Sequence, residues 1–136
     1  MLDSYPGHRT FGVMKFLCFA YEAEEDLNQL SQSEWQDLRK ETLDYVQALR
    51  DRGILEDTHP LQSARLSASV SVRDGKAMIT DGPLMETKEQ IGGYFLIEAV
   101  DRETALEIAA GWPSARIGRI EVRPVDDGLA MDRRYH

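Results

Sequence analysis

The chain has a single cysteine, three histidines and no long apolar run among its 136 residues. Cys18 alone cannot form an internal disulfide. Every apolar run is shorter than the roughly 18 residues that a membrane-spanning helix needs, and we expect no secretory signal sequence. These absences predict a cytoplasmic protein, because a disulfide framework is typical of oxidising compartments.

Basic residues are also scarce: 16 Lys and Arg stand against 24 Asp and Glu, for a net charge of −8. Nucleic acids and anionic membranes attract clustered Lys and Arg, so we expect neither as a partner. No group of side chains has metal-ligand spacing, and no glycine loop of the phosphate-binding type is present. The sequence therefore predicts no metal and no cofactor, and its 42% of hydrophobic residues suffices for the core of one domain.

The hydrophobic pattern places one α+β domain at 14–125, between an N-terminal extension at 1–13 and a polar C-terminal tail at 126–136. Two runs, 16–21 and 93–100, are apolar at both odd and even positions. Such runs are typical of central strands that are covered on both faces.

Two helices are indicated by their caps and their apolar spacing. Ser31 and Glu34 form a capping-box pattern at the start of a long amphipathic segment, and Gly53 follows its end. Asp101 stands at the N-cap position of a second, shorter helix. The residues between the first strand and the first helix, 22–26, read as an acidic loop.

Two further segments have the period-two pattern of strands. Residues 66–72 and 76–80 flank Asp74-Gly75, which predicts a tight β-hairpin. Residues 119–123 alternate as a half-exposed edge strand does. A shorter strand-like piece lies at 54–56.

The order strand, helix, strand hairpin, strand, helix, strand predicts a ferredoxin-like βαββαβ domain with an antiparallel sheet. Two helices cover one face of such a sheet, and a chain of this length supplies no second layer. A second copy could cover the other face, so we expect a homodimer in the form of an α+β barrel.

The segment 80–94, TDGPLMETKEQIGGY, has several polar side chains between two strand-like runs. Asp-Gly-Pro is a turn signal, and the hairpin register places Asp81 on the same face as Val70, Val72 and Ile79. A carboxylate desolvated on an apolar face can act as a general acid or base. The alternative is that Asp81 accepts hydrogen bonds from amides of the turn.

His59, before Pro60, is the histidine inside the predicted domain and could assist Asp81 as a base. The alternative is an exposed loop histidine. Six further residues are candidates for binding a small polar substrate: Gly82, Pro83, Glu86, Lys88, Tyr21 and Arg65. The alternative for this set is a solvated loop with surface ion pairs, together with Tyr21 packed in the core or at its rim.

The motifs RDGK at 73–76, TDGP at 80–83, ETKEQ at 86–90 and GGY at 92–94 resemble the DGPF-type branch of the YCII-related proteins. Leu84 stands where that branch usually has Phe. The resemblance implies a dimeric α+β barrel. YCII relatives carry a His–Asp pair suspected of acid–base work, but no histidine lies in the first strand or helix here. The branch is often linked to genes for alternative sigma factors, which favours a signalling or sensing role.

Two functions remain open from the sequence. One is a small-molecule-binding or regulatory module linked to sigma-factor signalling, which we slightly favour. The other is a cofactor-independent enzyme that uses acid–base chemistry on a small polar metabolite. A closed cavity in which Asp81 meets a second titratable group would favour the enzyme, and a shallow or filled site would favour the module.

Overall fold

A computed structural model describes residues 13–126. Apart from Val13 and Asp126, the expected N-terminal extension and C-terminal tail lie outside the described residues. The strands are β1 (Met14–Ala23), β2 (Leu55–Pro60), β3 (Ala68–Arg73), β4 (Lys76–Asp81), β5 (Glu89–Ala99) and β6 (Arg119–Pro124). The helices are α1 (Glu24–Asn28), α2 (Gln32–Asp51) and α3 (Arg102–Ala110), with 3-10 turns at Ala64–Leu66 and Pro113–Arg116.

The main sheet has four antiparallel strands in the order β2-β5-β1-β6. The two runs that are apolar on both faces, β1 and β5, are its central strands, as the sequence predicted. The fold is therefore α+β with an antiparallel sheet, and this strand order is compatible with a ferredoxin-like arrangement.

The predicted hairpin forms at Asp74-Gly75, but β3 and β4 make a separate two-stranded sheet. The expectation that this hairpin is part of the main sheet is wrong. The edge place beside β5 belongs to β2, which the sequence indicated only as the short piece at 54–56. Residues 22–26 are also not a loop, because β1 continues to Ala23 and α1 follows directly.

The predicted helix caps are confirmed. The Ser31 hydroxyl accepts a hydrogen bond from the Glu34 amide, and the Glu34 carboxylate accepts one from the Ser31 amide. Gly53 follows α2 with φ of +72°, a conformation that side-chain-bearing residues rarely adopt. Asp101 accepts a hydrogen bond from the Thr104 amide at 2.8 Å and starts α3.

The core lies between one face of the main sheet and the helices α2 and α3. Phe16, Cys18, Phe95 and Ile97 on the sheet pack with the buried residues of both helices and with Trp112, which follows α3. The rings of Phe95 and Trp112 are stacked, with centroids 3.9 Å apart and planes 8° from parallel. None of the helices in the described range is long and apolar enough to cross a membrane.

The opposite face of the sheet has no helix of the described chain packed on it. Its centre consists of two cross-strand pairs, Leu17 with Leu96 and Phe19 with Tyr94, and all four residues are only partly buried. We call these four residues the open sheet face. Both faces of β1 and β5 are thus apolar, while the described chain fully covers one of them.

Candidate functional site

A cavity of about 440 Å³ lies between α2 and the strands β1, β2 and β5. We call it the helix–sheet cavity. Its apolar wall includes Val46, Phe95 and both tryptophans of the chain, Trp35 and Trp112. Trp35 keeps 47% of its surface exposed, whereas Val46 and Leu49, further along α2, are buried.

Glu22 brings a carboxylate into this apolar cavity. Burial raises the pKa of Glu22 above its usual value, and the charge of Glu24 adds to the shift. No hydrogen bond or ion pair from another described residue reaches the Glu22 side chain. A half-buried acid without a donor is costly to ionise, so the protonated form is favoured relative to that of an exposed glutamate.

The space for this carboxylate is made by a glycine. Gly92 is the extra residue of a β-bulge, because Ala20 pairs with Gly93 and Tyr21 pairs with Ile91. A Cβ atom at Gly92 would overlap the Glu22 carboxylate. The bulge at Gly92 therefore leaves room for a side chain of the neighbouring strand β1.

The rim of the helix–sheet cavity is polar. Arg39 and Arg50 on α2 are exposed and line the cavity together with Thr58. The Thr58 hydroxyl donates to the backbone carbonyl of Tyr94 at 2.8 Å, which ties β2 to β5 beside the cavity. Guanidinium groups at the rim would attract an anionic group of a bound molecule.

His59 belongs to a second polar cluster, with Asp57 and Tyr94. The Tyr94 hydroxyl donates to Asp57 Oδ2 at 2.9 Å, and His59 Nε2 lies 3.4 Å from Asp57 Oδ1. His59 and Tyr94 are a direct cross-strand pair whose ring centroids are 5.9 Å apart. The hydrogen bond to Asp57, with further small contributions, raises the pKa of Tyr94, so this phenol remains a donor. The cluster borders the open sheet face through Tyr94.

A second cavity, of about 700 Å³, lies at the base of the β3–β4 hairpin and is wider and more open to solvent. Two of the predicted substrate-binding residues, Tyr21 and Pro83, line it. The Tyr21 hydroxyl donates to the Glu121 carboxylate at 3.1 Å, and this bond raises the pKa of Tyr21. Tyr21 is therefore tied to the neighbouring strand β6.

Several polar residues of the 80–94 motif hold the loop between β4 and β5. The Gln90 side-chain amide donates to the carbonyls of Met85 and Thr87 at 2.7 and 2.9 Å. The Gly82 amide donates to the Ser67 carbonyl at 2.7 Å, and Gly82 has φ of +98°. These contacts account for part of the polar density of the motif by loop geometry.

Of the predicted site residues, Tyr21 and Pro83 share the second cavity, whereas His59 lines the helix–sheet cavity. Asp81 is the last residue of β4, opposite Ala68, and is exposed. The predicted register is confirmed, but the apolar face that Asp81 shares is open to solvent. Glu86 and Arg65 are exposed, and the Lys88 amine lies 3.9 Å from an Asp26 carboxylate oxygen. The proposed roles of these residues stay predictions.

Sequence reasoning missed Glu22, Trp35 and Asp57 as site residues. In the sequence, Glu22 lies in the segment that reads as an acidic loop, and Trp35 lies in the amphipathic segment that follows Ser31. One signal for Glu22 was available: it continues the even-numbered positions of β1 that face the core, after Cys18 and Ala20. An acid that continues an apolar stripe is a candidate for a desolvated group.

A family model described as the YCII-related domain matches residues 14–127. The chain belongs to the YCII-related domain family. It is similar to an uncharacterized protein of Rhizobium meliloti (strain 1021), with 32% identity over 108 residues. That alignment covers 78% of this chain and 80% of the relative. The resemblance seen in the sequence motifs is confirmed at the level of this family, whereas the DGPF branch stays a prediction.

Proposed function

We propose that this YCII-related protein binds a small amphipathic molecule in the helix–sheet cavity. The observation that carries the proposal is the Glu22 carboxyl, which lies in an apolar cavity with a raised pKa and no hydrogen-bond partner among the described residues. Cavities of about 300–1,000 Å³ with apolar walls and few polar groups are typical of small-molecule sites. At about 440 Å³, the helix–sheet cavity has this size.

The chemistry of the cavity defines the ligand class. Trp35, Trp112 and Phe95 offer an apolar surface for a ring or a short aliphatic body. The Glu22 carboxyl can form one hydrogen bond with a polar group of the ligand, as a donor when it is protonated and as an acceptor when it is ionised. Arg39 and Arg50 at the rim favour a ligand with a carboxylate or phosphate at its outer end.

We further propose that the protein acts as a homodimer in which the open sheet faces of two copies are enclosed, as in an α+β barrel. Partly buried Leu17, Phe19 and Leu96 at the centre of the sheet support this arrangement. The DGPF-type resemblance implies a role connected with sigma-factor signalling. In such a role the bound molecule would be the signal, and the dimer would be its receptor.

Tryptophan fluorescence tests ligand binding directly, because both tryptophans line the cavity. A library of amphipathic carboxylates and phosphates is screened by thermal shift, and hits are titrated by fluorescence. We expect a hit to quench or shift the emission, and Glu22→Gln to weaken binding about tenfold or more through the altered hydrogen bond. Glu25→Gln, an exposed neighbour on α1, is the matched control and is expected to bind as wild type.

Two results would contradict the binding proposal. One is a set of stabilising hits that leave the tryptophan emission unchanged. The other is equal affinity for wild type and Glu22→Gln, which would move the ligand away from the helix–sheet cavity.

The Asp57–His59–Tyr94 cluster favours acid–base catalysis as a second candidate function. With Nε2 of His59 directed at Asp57, Nδ1 is left to accept a proton from a substrate. The bonding pair of the broken C–H or O–H bond stays on the substrate, and Asp57 balances the imidazolium charge. His59 was one of the two catalytic residues expected from the sequence. Asp81 was the other, and it lies on the separate hairpin.

Exchange of substrate protons with solvent tests this second candidate function. A panel of small keto acids is incubated with the protein in D₂O, and deuterium incorporation next to the carbonyl is followed by NMR. We expect exchange above the buffer rate that is lost in His59→Asn and retained in Glu121→Gln. A panel that exchanges only at the buffer rate would count against the catalytic role.

A further inference from the structure

The β3–β4 hairpin, which we call the hairpin arm, has its apolar face turned to solvent. Val70, Val72 and Ile79 share that face through the pairs Val70 with Ile79 and Val72 with Ala77. Their exposed fractions are 66%, 60% and 68%. On the other face Ser69 and Ser71 are partly buried. This is the reverse of the usual pattern, in which the apolar side of a hairpin is covered.

A hairpin of this kind is not expected to be stable by itself. An isolated two-stranded sheet is marginal in water, and a third strand or an apolar surface against one face is needed. The strands of the arm pair only with each other in the described chain. An exposed apolar group of this type in a folded protein marks an interaction surface.

We propose that the hairpin arm docks through Val70, Val72 and Ile79 onto the open sheet face of a second copy of this chain. This inference rests on the homodimer that is part of the proposed function, and it adds the element that forms the contact. In a two-fold dimer, each copy gives one arm and receives one. The same contact is then formed twice, and it encloses the apolar face of each arm and the open sheet face of each copy.

The dimensions of the two surfaces support this occupant. Each strand of the arm has six residues, a length of roughly 20 Å at about 3.3 Å per residue. Four strands of the main sheet at about 4.8 Å spacing present a surface roughly 15–19 Å wide. An arm laid on this sheet therefore spans it from edge to edge.

The charges are compatible with the same contact. Arg73 and Lys76 stand opposite each other at the tip of the arm. Asp57 and Glu121 flank the open sheet face on β2 and β6, opposite Leu96 and Phe19. Arg119 and Arg123 lie on the same margin, opposite Tyr21 and Leu17, and Arg123 pairs with Glu121 at 3.1 Å. The margins therefore carry both signs of charge, and they do not oppose an arm that crosses the sheet.

The contact would also place Asp81 beside an apolar surface, which the single chain does not provide. Asp81 pairs with Ala68 at the base of the arm and shares the face of Val70 and Ile79. An arm docked through this face carries Asp81 to the margin of the interface. The desolvated carboxylate that the sequence predicted would then arise only in the dimer.

The first experiment compares two double variants by sedimentation velocity over a range of concentrations. Val70→Ser with Ile79→Ser removes the apolar face of the arm, and Ser69→Ala with Thr80→Ala changes the cross-strand pair on its other face. We expect the first variant to raise the dimer dissociation constant about tenfold or more and the control to change it less than about threefold. Hydrogen exchange across α2 and the main sheet checks that both variants are folded.

The second experiment identifies the surface that receives the arm. Chains with Val72→Cys are mixed with chains with Leu17→Cys under mild oxidation, and the control mixture replaces Val72→Cys by Ser71→Cys on the other face of the arm. The native Cys18 is buried, and burial raises its pKa to about 12, so it does not compete. We expect an interchain disulfide in the first mixture and little in the control.

The possible outcomes separate the arm from the dimer. A wild-type chain that is monomeric at micromolar concentration overturns both. A dimer that is equally stable in Val70→Ser with Ile79→Ser overturns the arm contact and leaves the dimer. An arm-dependent dimer that cross-links no better than its control overturns the open sheet face as the receiving surface.

Discussion

Replacement of Glu22 by glutamine is expected to change how the free energy of unfolding depends on pH. Burial raises the pKa of Glu22 in the folded protein above the value of 4.5 for a free side chain, and the charge of Glu24 adds to it. The folded state therefore binds the proton more tightly than the unfolded state. The stability that this provides is complete below about pH 4.5 and is lost as the pH rises through the folded-state pKa.

Glutamine has nearly the size of glutamate and cannot ionise, so Glu22→Gln lacks this loss. The glutamine amide also has no hydrogen-bond partner, and this lowers the free energy of unfolding by about 1–3 kcal/mol at every pH. The cost shifts the whole curve of stability against pH without changing its shape. The difference in unfolding free energy between variant and wild type should move in favour of the variant above pH 4.5. The gain amounts to about 1.4 kcal/mol for each unit by which the pKa is raised, and it becomes constant at higher pH.

Urea denaturation, followed by tryptophan fluorescence, measures this difference. The measurement is repeated at evenly spaced pH values from about 3.5 to about 8. Glu24 has the opposite sign: hydrogen bonds from Ser63 and Ala64 lower its pKa. Since both proteins contain Glu24, its contribution largely cancels in the difference. The same measurement on Glu25→Gln, a change at an exposed neighbour on α1, is the control. A difference curve for Glu22→Gln that is flat, or that falls with pH, would refute the reasoning about this carboxyl.

Three further changes test the packing around the site. A Cβ atom at Gly118 would overlap the backbone carbonyl of Tyr21, so Gly118→Ala should cost about 1–3 kcal/mol in urea denaturation, and an unchanged midpoint would contradict this contact. Phe95→Ala removes a fully buried ring that stacks on Trp112 and should cost about 3–5 kcal/mol, whereas a cost below about 1 kcal/mol would place the core elsewhere. Cys18, with a pKa raised to about 12 by burial, should react with a disulfide reagent at pH 8 only as fast as the protein unfolds, and rapid labelling of the native protein would show that the strand is accessible.

Local features were predictable from the sequence because their causes are local. The capping box of Ser31 and Glu34, the glycine after α2 and the turn at Asp74-Gly75 each depend on residues within four positions. The two central strands were also predictable, since an uninterrupted apolar run reports burial on both faces. These signals indicate the long helix, the hairpin turn and the central strands, but not α1 or the full length of β2.

Sheet membership was not predictable by the same means. The period-two pattern of β3 and β4 is stronger than that of β2, which contains Asp57, His59 and Pro60. In the structure, β2 nevertheless pairs with β5, and the hairpin forms a separate sheet. Pairing depends on contacts between residues far apart in sequence, and a clear alternation reports only that one face is apolar. It does not say whether the same chain covers that face.

Several polar residues of the segment 80–94 have a structural role in the loop that they form. Gln90 holds the loop through two carbonyls, and Gly82 enters it with φ of +98°. Gly92 at the far end makes room for a side chain that is distant in sequence, Glu22. A motif residue can thus matter to binding through the space it leaves. Gly92→Ala should then displace the Glu22 carboxyl and weaken ligand binding as Glu22→Gln does. If ligand affinity survives Gly92→Ala in a folded protein, the motif is a loop brace alone and the helix–sheet cavity is not the site.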